Sequence, residues 1–282
     1  MKTLKEILDK SISFLTEKGV SGARRQAEEL LGDVLSLKRL DLYLEFERPL
    51  TELELEKCRS YLLRRAKGEP LQYIRGFVEF LDCTIKVNGD VLIPRPETEI
   101  MADMAIQSLE KGNLKGRTLW DACCGSGCIG IALKKRFPEL EVVLSDFSTE
   151  ALAVAKENAK KNGVEVIFLQ GNLLEPFQDK QADFFICNPP YVSEKEYQEL
   201  ESGVKDYEPC IALLARNEGL EFYQRLAEAL PSHLNPMGKA WLEIGYNQGK
   251  AVQALFSGTQ WKRTELKKDW SGRDRFFLLE ME

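Results

Sequence analysis

Hydrophobic positions near the start of the chain recur every three or four residues, the spacing that lines one face of an α-helix. Two sets show it: Leu4, Ile7, Leu8, Ile12 and Leu15, and then Ala27, Leu30, Leu31, Val34 and Leu35. The capping-box sequence Thr51-Glu-Leu-Glu54 predicts the start of a third helix, and Gly68 with Pro70 predicts its end. The pattern therefore predicts a small helical-bundle domain over residues 1–70.

Two roles are compatible with this bundle. A unit of this size with apolar faces of its own is commonly a recognition module, and we predict that it recognises the substrate. Helices that only pad a larger domain would produce the same periodicity, so the pattern alone leaves both roles open.

After Pro70 the apolar positions no longer follow a helical period. Residues 79–87 are rich in β-branched and aromatic side chains and are followed by the turn pair Asn88-Gly89. We predict a β-hairpin, or a bridging pair of strands, within a linker of residues 71–98.

From about residue 115, short apolar runs alternate with helical stretches. The predicted strands are Thr118–Asp121, Glu141–Ser145, Glu165–Gln170, Ala182–Cys187, Lys239–Gly245 and Arg275–Met281. Helices are predicted near 128–136, 148–162, 217–229 and 247–256. This alternation predicts an α/β domain over residues 99–282, with a mostly parallel sheet that binds ligands at the carboxyl ends of its strands. The less regular last runs also allow an antiparallel pair at the far edge.

Composition and charge narrow the class of protein. With 44% hydrophobic and 30% charged residues, the 282-residue chain has the composition of an ordinary globular protein. No apolar run approaches the length of a membrane span, and the alternating charged and apolar N-terminus predicts no signal peptide. The net charge of −6 opposes binding to a phosphate backbone, so we predict no direct nucleic-acid partner. We also predict a cytoplasmic monomer with no membrane association.

The seven cysteines indicate reduced thiols, because their number is odd and no secretory signal accompanies them. Cys123, Cys124 and Cys128 form the one cluster. No second Cys or His pair stands at zinc-finger spacing, so we interpret the cluster as small apolar packing beside glycines and predict no metal site.

A glycine-rich turn follows the first strand of the predicted sheet. Asp121-Ala-Cys-Cys-Gly-Ser-Gly127 separates a strand from a helix, the context that a nucleotide-binding turn requires. Asp146 stands 19 residues after Gly127, at the end of the next strand, where an acid takes ribose hydroxyls. A tight turn without a ligand is the alternative for the glycines alone.

The acid before the turn favours a cationic ligand over a dinucleotide. A dinucleotide places its pyrophosphate at this helix N-terminus, and Asp121 would repel it. Asp121-x-x-x-Gly-x-Gly, the ribose acid Asp146 and a polar residue after the third strand, Asn172, together resemble the Rossmann-like S-adenosylmethionine methyltransferases. The methionine part of that cofactor carries an ammonium and a sulfonium.

The fourth strand ends at Asn188-Pro189-Pro190-Tyr191, which predicts the acceptor site. Two prolines remove two backbone donors, so hydrogen-bond acceptors dominate this turn. The Asn188 side-chain oxygen and the Pro189 carbonyl can bind both hydrogens of a planar –NH₂ group, and Tyr191 offers it a flat face. A proline-rich turn that merely closes a strand is the alternative.

The tetrapeptide occurs in adenine-amino methyltransferases and in release-factor glutamine methyltransferases, and the rest of the chain resembles the second family. The resemblance covers nearly the whole chain and is weakest over residues 1–60. It is carried in order by Glu69–Gly76, Val91–Glu99, Glu208-Pro209, Glu218–Leu220, Glu243–Gly249 and Asp269–Arg275.

The resemblance implies methyl transfer from S-adenosylmethionine to the glutamine side-chain nitrogen in the Gly-Gly-Gln loop of class 1 peptide chain release factors. It implies a seven-stranded, Rossmann-like catalytic domain and a helical domain that helps hold the release factor. Carried over by position, it assigns cofactor contacts to Cys123, Cys124, Gly125, Ser126, Gly127, Asp146, Leu173 and Asn188. The same comparison assigns the acceptor glutamine to Asn188, Pro189, Pro190 and Tyr191, with Pro94 to Glu99 closing over the site or serving as a structural linker.

Two departures from the family pattern bear on the cofactor. Cys123 replaces a glycine and would crowd the methionine part if its φ is positive. Asn172 replaces an acid and keeps the capacity to hydrogen-bond adenine. Two other functions remain open at this point: an adenine-amino DNA or RNA methyltransferase, and a non-catalytic binder of release factors whose cofactor turn Cys123 has spoiled.

Overall fold

The computed structural model describes residues 2–282. Its α-helices are α1 (Leu4–Glu17), α2 (Ala23–Leu35), α3 (Arg39–Leu44), α4 (Glu52–Ala66), α5 (Leu71–Arg75), α6 (Pro96–Leu109), α7 (Cys128–Arg136), α8 (Thr149–Asn162), α9 (Glu194–Glu199), α10 (Ser202–Lys205), α11 (Arg216–Gly219), α12 (Glu221–His233) and α13 (Gly249–Leu255). Its strands are β1 (Phe77–Phe80), β2 (Cys83–Lys86), β3 (Thr118–Ala122), β4 (Glu141–Asp146), β5 (Ile167–Gln170), β6 (Ala182–Cys187), β7 (Leu234–Glu243), β8 (Trp261–Lys268) and β9 (Asp274–Met281).

The chain divides into two compact units, of which the first is helical. It comprises residues 2–76 together with Ser202–Tyr207. The predicted capping box at Thr51 is present, since the Thr51 hydroxyl accepts from the Glu54 amide and the Glu54 carboxylate accepts from the Thr51 amide. Helix α4 ends at Ala66, shortly before Gly68 adopts a φ of +96°. The short helices α3 and α5 were not predicted.

Leucines from several helices form the core of this unit. The buried core contains Leu4, Leu8, Leu15, Ala23, Ala27, Leu31, Leu35, Leu42, Leu50 and Cys58. Most of these are the positions that the helical spacing assigned to the inner faces, so burying them is what holds the bundle together. One buried acid, Glu28, accepts from Arg39 and Tyr43, which offsets the cost of removing its charge from water.

The second unit contains residues 77–201 and 208–282 and is built on a seven-stranded sheet. The strand order is β5-β4-β3-β6-β7-β9-β8, with β5 to β7 parallel and β9 antiparallel to both β7 and β8. This confirms the predicted α/β fold with its mostly parallel sheet. Parallel strands covered by helices on both faces are mainly apolar, as β3 and β6 are apart from Thr118, Asp121 and Asp183.

Several local features differ from the predictions. The hairpin turns at Leu81, whose φ is +48°, and Asn88-Gly89 lies beyond both strands. The charged edge strand β8 and the helix α6 were not predicted, and α12 begins at Glu221 rather than near residue 217. The helix predicted to end near residue 229 continues to His233, and the strand predicted from Lys239 starts at Leu234.

Two asparagines of α8 attach the hairpin to the sheet unit. The Asn158 side chain accepts from the Lys86 amide at 2.7 Å and donates to the Lys86 carbonyl at 3.0 Å. One turn later, Asn162 accepts from the Thr84 amide and donates to the Thr84 carbonyl. Since a side-chain amide offers the same donor and acceptor as a peptide group, the two residues satisfy the free edge of β2.

The hairpin and residues 87–98 group with the sheet unit, whereas Leu71–Arg75 group with the helical one. The domain boundaries at residues 70 and 98 stay a prediction. Within the described residues, the helices are all too short or too polar to cross a bilayer.

Candidate active site

A cavity of about 270 Å³ lies at the carboxyl ends of β3, β4 and β6, where a sheet of this topology binds ligands. Nine predicted site residues line it: Cys123, Cys124, Gly125, Ser126, Asp146, Asn172, Leu173, Asn188 and Pro190. Asp121, Gly127, Pro189 and Tyr191 lie outside this lining. The structure thus brings the predicted cofactor turn and the predicted acceptor turn into one cavity.

The turn after β3 has left-handed backbone at Cys123, Gly125 and Gly127, with φ values of +54°, +52° and +77°. At Gly127 an added Cβ would lie 2.9 Å from Ile131 Cδ1 and 3.1 Å from Ala155 Cβ, so this position requires glycine for conformation and for space. Cys123 meets the condition under which crowding was predicted. Its side chain contributes to the cavity wall from a conformation that costs a non-glycine residue free energy.

Asp121 lies beneath the turn rather than in the cavity wall. Its carboxylate is fully buried, and Oδ2 accepts from the Gly130 amide at 2.8 Å. Burial raises the pKa of Asp121 to about 7, and the hydrogen bond from Gly130 opposes this shift. Gly130 has no room for a side chain, because a Cβ there would come within 3.0 Å of the same carboxylate.

Asp146 and the loop after β5 form the wall beside the turn. Asp146 Oδ2 accepts from the Gly125 amide at 2.8 Å and Oδ1 from the Ser148 amide at 2.9 Å. Burial raises the pKa of this carboxyl, while the backbone amides lower it. Leu173 adopts a left-handed φ of +61°, and the Asn172 carbonyl accepts from Arg225.

The acceptor turn exposes part of its length to the cavity. Asn188 and Pro190 line the wall, whereas Pro189 is buried and Tyr191 is half-buried outside the lining. Asn188 Nδ2 donates to Thr98 Oγ1 at 3.3 Å, and the Tyr191 hydroxyl donates to Glu243 Oε1 at 3.2 Å. Asn188 is therefore placed for ligand contact, and Tyr191 is held by the protein.

Glu243, at the end of β7, accepts hydrogen bonds from the Thr98 and Tyr191 hydroxyls. Its Oε2 accepts from the Thr98 hydroxyl at 2.7 Å, and both residues are buried. Burial raises the pKa of Glu243, and the hydrogen bond from Thr98 together with the charge of Arg275 opposes this. Arg275 also donates to the Ile244 carbonyl at 3.2 Å. The acceptor turn thus rests on a buried polar network.

Gln248 and Gly219 fix the far end of the same turn. Gln248 Nε2 donates to the Tyr191 carbonyl at 3.0 Å, and Gln248 Oε1 accepts from the Gly245 amide at 2.9 Å. Gly219, with a φ of +82°, packs so closely that a Cβ would lie 2.2 Å from the Tyr191 carbonyl oxygen. These contacts leave the Tyr191 backbone little freedom to move.

Comparison with known proteins now identifies the family. Residues 97–202 match the methyltransferase small domain, and residues 6–76 match the PrmC N-terminal domain. The release factor glutamine methyltransferase of Geobacter sulfurreducens is 38% identical over 273 residues, which cover 97% of this chain and 95% of that protein. The enzyme of the same description from Chlamydia trachomatis serovar L2 is 40% identical, covering 98% of this chain and 94% of its own.

The chain belongs to the release factor glutamine methyltransferases. This confirms the predicted family and the predicted class of enzyme, an S-adenosylmethionine-dependent methyltransferase. The crystal structure of a methyltransferase from Pyrococcus furiosus matches with a TM-score of 0.52 at 16% identity, over 71% of this chain and 89% of that one. At that identity the likeness concerns the fold alone.

The residues of the cavity fit the cofactor of this family. Gly125 lines the cavity without a side chain, so a ligand can approach the main chain closely there. Asp121 Oδ1 is buried and, within residues 2–282, has no hydrogen-bond partner, so beneath the turn it favours a ligand with positive charge. Asp146 and Asn172 add polar groups to a wall that is otherwise mainly apolar.

Glu243 was missed at the sequence level. It lies inside a segment that carries the family resemblance, but no spacing rule connects it to Thr98, 145 residues away. Pro94 and Thr98 belong to the predicted Pro94 to Glu99 segment, and both line the cavity. This segment is held because Glu208 accepts from the Ile93 amide at 3.1 Å and from Arg95 at 2.6 Å. Its closure over the site stays a prediction.

The clustered cysteines lie at the glycine turn and at the start of α7. Cys123, Cys124 and Cys128 carry free thiols, and burial raises the pKa of Cys124 and Cys128, which keeps both neutral. Across residues 2–282, no group of three or more His, Cys, Asp or Glu side chains is arranged to hold a metal ion.

Proposed function

We propose that the chain transfers the methyl group of S-adenosylmethionine to the side-chain nitrogen of the glutamine in the Gly-Gly-Gln loop of class 1 release factors. The observation that carries the proposal is the position of Asn188 in the wall of the cavity that also contains the glycine turn. An acceptor amide bound at Asn188 would then adjoin the donor without a further conformational step.

When bound, S-adenosylmethionine supplies an electrophilic methyl group on a sulfonium. Cys123 to Gly127, Asp146, Asn172 and Leu173 would hold it in the cavity. Asn188 Oδ1 and the Pro189 carbonyl would accept the two N–H groups of the substrate amide, which directs the nitrogen lone pair toward the methyl group. The nitrogen would gain the N–CH₃ bond as the S–CH₃ bond breaks to leave a neutral thioether, and it would then lose one of its two protons to solvent. The apolar wall limits water at the reacting atoms, which favours a step that disperses positive charge.

The finer assignments belong to this proposal. We propose that class 1 release factors are the protein substrate, that no nucleic acid is bound directly, and that the chain acts as a monomer in the cytoplasm. The net charge of −6 supports the absence of a phosphate-binding groove.

The test uses the purified chain with isotopically labelled S-adenosylmethionine and either a class 1 release factor or duplex DNA. We expect label in the release factor, and mass spectrometry of its Gly-Gly-Gln peptide should show one added methyl group. A release factor with alanine in place of that glutamine is the control and should take up no label. Label in nucleic acid alone would reject the proposal in favour of an adenine-amino methyltransferase.

A further inference from the structure

The side-chain amide of Asn188 can face the cavity in either of two ways. With Oδ1 toward the cavity it accepts a hydrogen bond from a substrate –NH₂ group, and with Nδ2 toward the cavity it repels that group. The two orientations differ by a half-turn of the amide and have nearly the same shape. If Asn188 is to bind an amide nitrogen, a neighbouring group must hold its side chain with Oδ1 toward the cavity.

Thr98 is the residue that contacts the inner end of this amide. The Thr98 side chain is 2% exposed, and its Oγ1 lies 3.3 Å from Asn188 Nδ2 and 2.7 Å from Glu243 Oε2. A hydroxyl group has a single hydrogen to donate. If that hydrogen goes to Glu243, Oγ1 can only accept from its other neighbour.

Glu243 is placed to take this hydrogen. Its side chain is 1% exposed and accepts from both the Thr98 and the Tyr191 hydroxyls, so the carboxylate needs both donors to offset its burial. Arg275 donates to the Tyr191 hydroxyl oxygen at 3.5 Å, which leaves the Tyr191 hydrogen free to point at Glu243. Both hydroxyl hydrogens therefore point toward the carboxylate.

We infer that Glu243 and Thr98 are positioning residues that fix the orientation of the Asn188 amide and so make the site select glutamine. The donation from Thr98 to Glu243 leaves Oγ1 as an acceptor, which binds Asn188 Nδ2. Asn188 Oδ1 is then presented to the substrate. This inference rests on the proposed function, because it assigns to Asn188 the contact with the substrate amide.

The property that tests this inference is the preference of the site for glutamine over glutamate. Glutamine offers an –NH₂ donor, whereas glutamate of the same length offers only acceptor oxygens at neutral pH. A fixed Oδ1 attracts the first and repels the second. An amide that is free to turn would present Nδ2 to a carboxylate, so the preference for glutamine should shrink.

The experiment compares the full chain with Thr98→Val and Thr98→Ser. Valine keeps the shape of threonine without the hydroxyl, and serine keeps the hydroxyl. For each protein, kcat, KM and the Kd of S-adenosylmethionine are measured with a class 1 release factor. The competing ligand is the same release factor with Gly-Gly-Glu in place of Gly-Gly-Gln.

We expect Thr98→Val to lower kcat by about tenfold, the effect of one net hydrogen bond, while the cofactor Kd stays within about twofold. The advantage of Gly-Gly-Gln over Gly-Gly-Glu in binding should fall by a similar factor. Thr98→Ser should keep both properties close to those of the original chain. A Thr98→Val protein with unchanged kcat and unchanged preference would overturn the inference.

A structural role for Thr98 alone predicts a different pattern. It would lower thermal stability and cofactor affinity together with kcat, and leave the glutamine preference intact; that pattern also rejects the inference. Thr98→Ala provides a second arm in case valine prevents folding, since it also removes the hydroxyl that accepts from Asn188 Nδ2. We expect it to lose glutamine preference as Thr98→Val does, and an unchanged preference would count against Thr98. If the original chain methylates no release factor, the proposed function itself has failed.

Discussion

We expect the Asn188 side chain to orient the substrate more than it binds the cofactor. It lines the cavity, and its Nδ2 donates to Thr98, a buried residue of the same wall. We expect Asn188→Ala to lower kcat by about a hundredfold or more, because an acceptor aimed at the reacting group is lost. The cofactor Kd, measured by calorimetry, should change less than about threefold. Equal losses in kcat and cofactor affinity would make Asn188 mainly a cofactor contact.

Asp121 should make stability depend on pH. In the unfolded chain most Asp121 carboxyls are ionised by pH 5, whereas in the folded chain burial raises the pKa of Asp121 to about 7. The folded state therefore binds the extra proton between those values, so the unfolding free energy falls as the pH rises from about 5 to 7, by about 2 kcal/mol.

Asp121→Asn removes this titration and keeps an oxygen to accept from Gly130. Urea unfolding of both proteins at pH 5 and pH 7 measures the difference. The asparagine variant should lose less stability over that interval than the original chain. Parallel curves for the two proteins would show that Asp121 is ionised throughout.

Single residues also mark the limit of what could be predicted from the sequence. Asp146 and Asn188 follow strands, and the rule that parallel strands end at one edge was enough to bring them together. The crowding at Cys123 was stated as a condition, and only its φ of +54° decided it. Thr98 and Glu243 stand 145 residues apart, and a hydrogen bond over that separation has no local pattern.

At the scale of elements, α8 connects the hairpin to the cofactor turn. Besides Lys86, the buried Asn158 side chain donates to the Ser126 carbonyl at 2.9 Å. Within residues 2–282, the hydrogen bonds of the Asn162 side chain, one turn further, go to Thr84 and to the Asn158 carbonyl of its own helix. The two asparagines therefore share the task of holding β2, but only Asn158 also fixes the glycine turn.

This difference predicts the effect of replacing each asparagine with leucine. Asn158→Leu should lower the unfolding free energy by about 2 kcal/mol or more and weaken S-adenosylmethionine binding, because it leaves buried backbone groups unpaired. Asn162→Leu is the matched control and should reduce stability with little change in the cofactor Kd. Denaturant unfolding and calorimetry measure the two properties. Similar cofactor affinities for both variants would contradict a link between the hairpin and the turn.

The turn before α12 predicts a second effect at this scale. Gly219→Ala would place a methyl group 2.2 Å from the Tyr191 carbonyl oxygen and 2.4 Å from Gln248 Nε2, so the acceptor turn must move. We expect a large fall in kcat together with a loss of about 2 kcal/mol or more in stability.

Gly163→Ala separates the clash from the backbone conformation. Gly163 has a φ of +68° with nothing within 4 Å of an added Cβ, so alanine there should cost about 1 kcal/mol and leave kcat unchanged. Thermal unfolding and single-turnover assays of both variants make the comparison. A Gly219→Ala enzyme with normal turnover would show that the acceptor turn tolerates displacement.

The failure to predict certain elements from the sequence has identifiable physical reasons. The hairpin turns at Leu81 rather than at a glycine or asparagine, so its turn carries no recognisable signal. Strand β8 lies at the edge of the sheet and contains the charged residues Lys262, Arg263, Glu265, Lys267 and Lys268. Such charges discourage an edge strand from pairing with another chain, but they obscure the alternating apolar pattern by which a strand is recognised in the sequence. The central strands are short, mainly apolar runs that alternate with helical stretches, and they were found for that reason.

At the scale of the whole molecule, the helical unit is assembled from two separate parts of the chain. Ser202–Tyr207 join residues 2–76, and the Tyr207 hydroxyl donates to the Lys67 carbonyl at 3.0 Å. Deletion of residues 1–76 should therefore leave residues 202–207 without their packing partners.

We expect the shortened chain to be cut by protease between about residues 199 and 209, at sites that are protected in the full chain. Limited proteolysis followed by mass spectrometry locates the cuts. Tyr207→Phe in the full chain is the control, because it removes the hydrogen bond and keeps the packing, and it should remain protected. Equal resistance in the shortened chain would show that this segment needs no partner.

Because the helical unit consists of two separate chain segments, its two parts become available at different times during synthesis. Its first part leaves the ribosome early, but its last six residues follow about 125 residues later, after β3 to β6 have been translated. Closing so long a loop is slow compared with forming local helices. The N-terminal helices can therefore form early, but they reach their final packing only after residues 202–207 follow, when β1 to β6 have been translated and β7 to β9 have not.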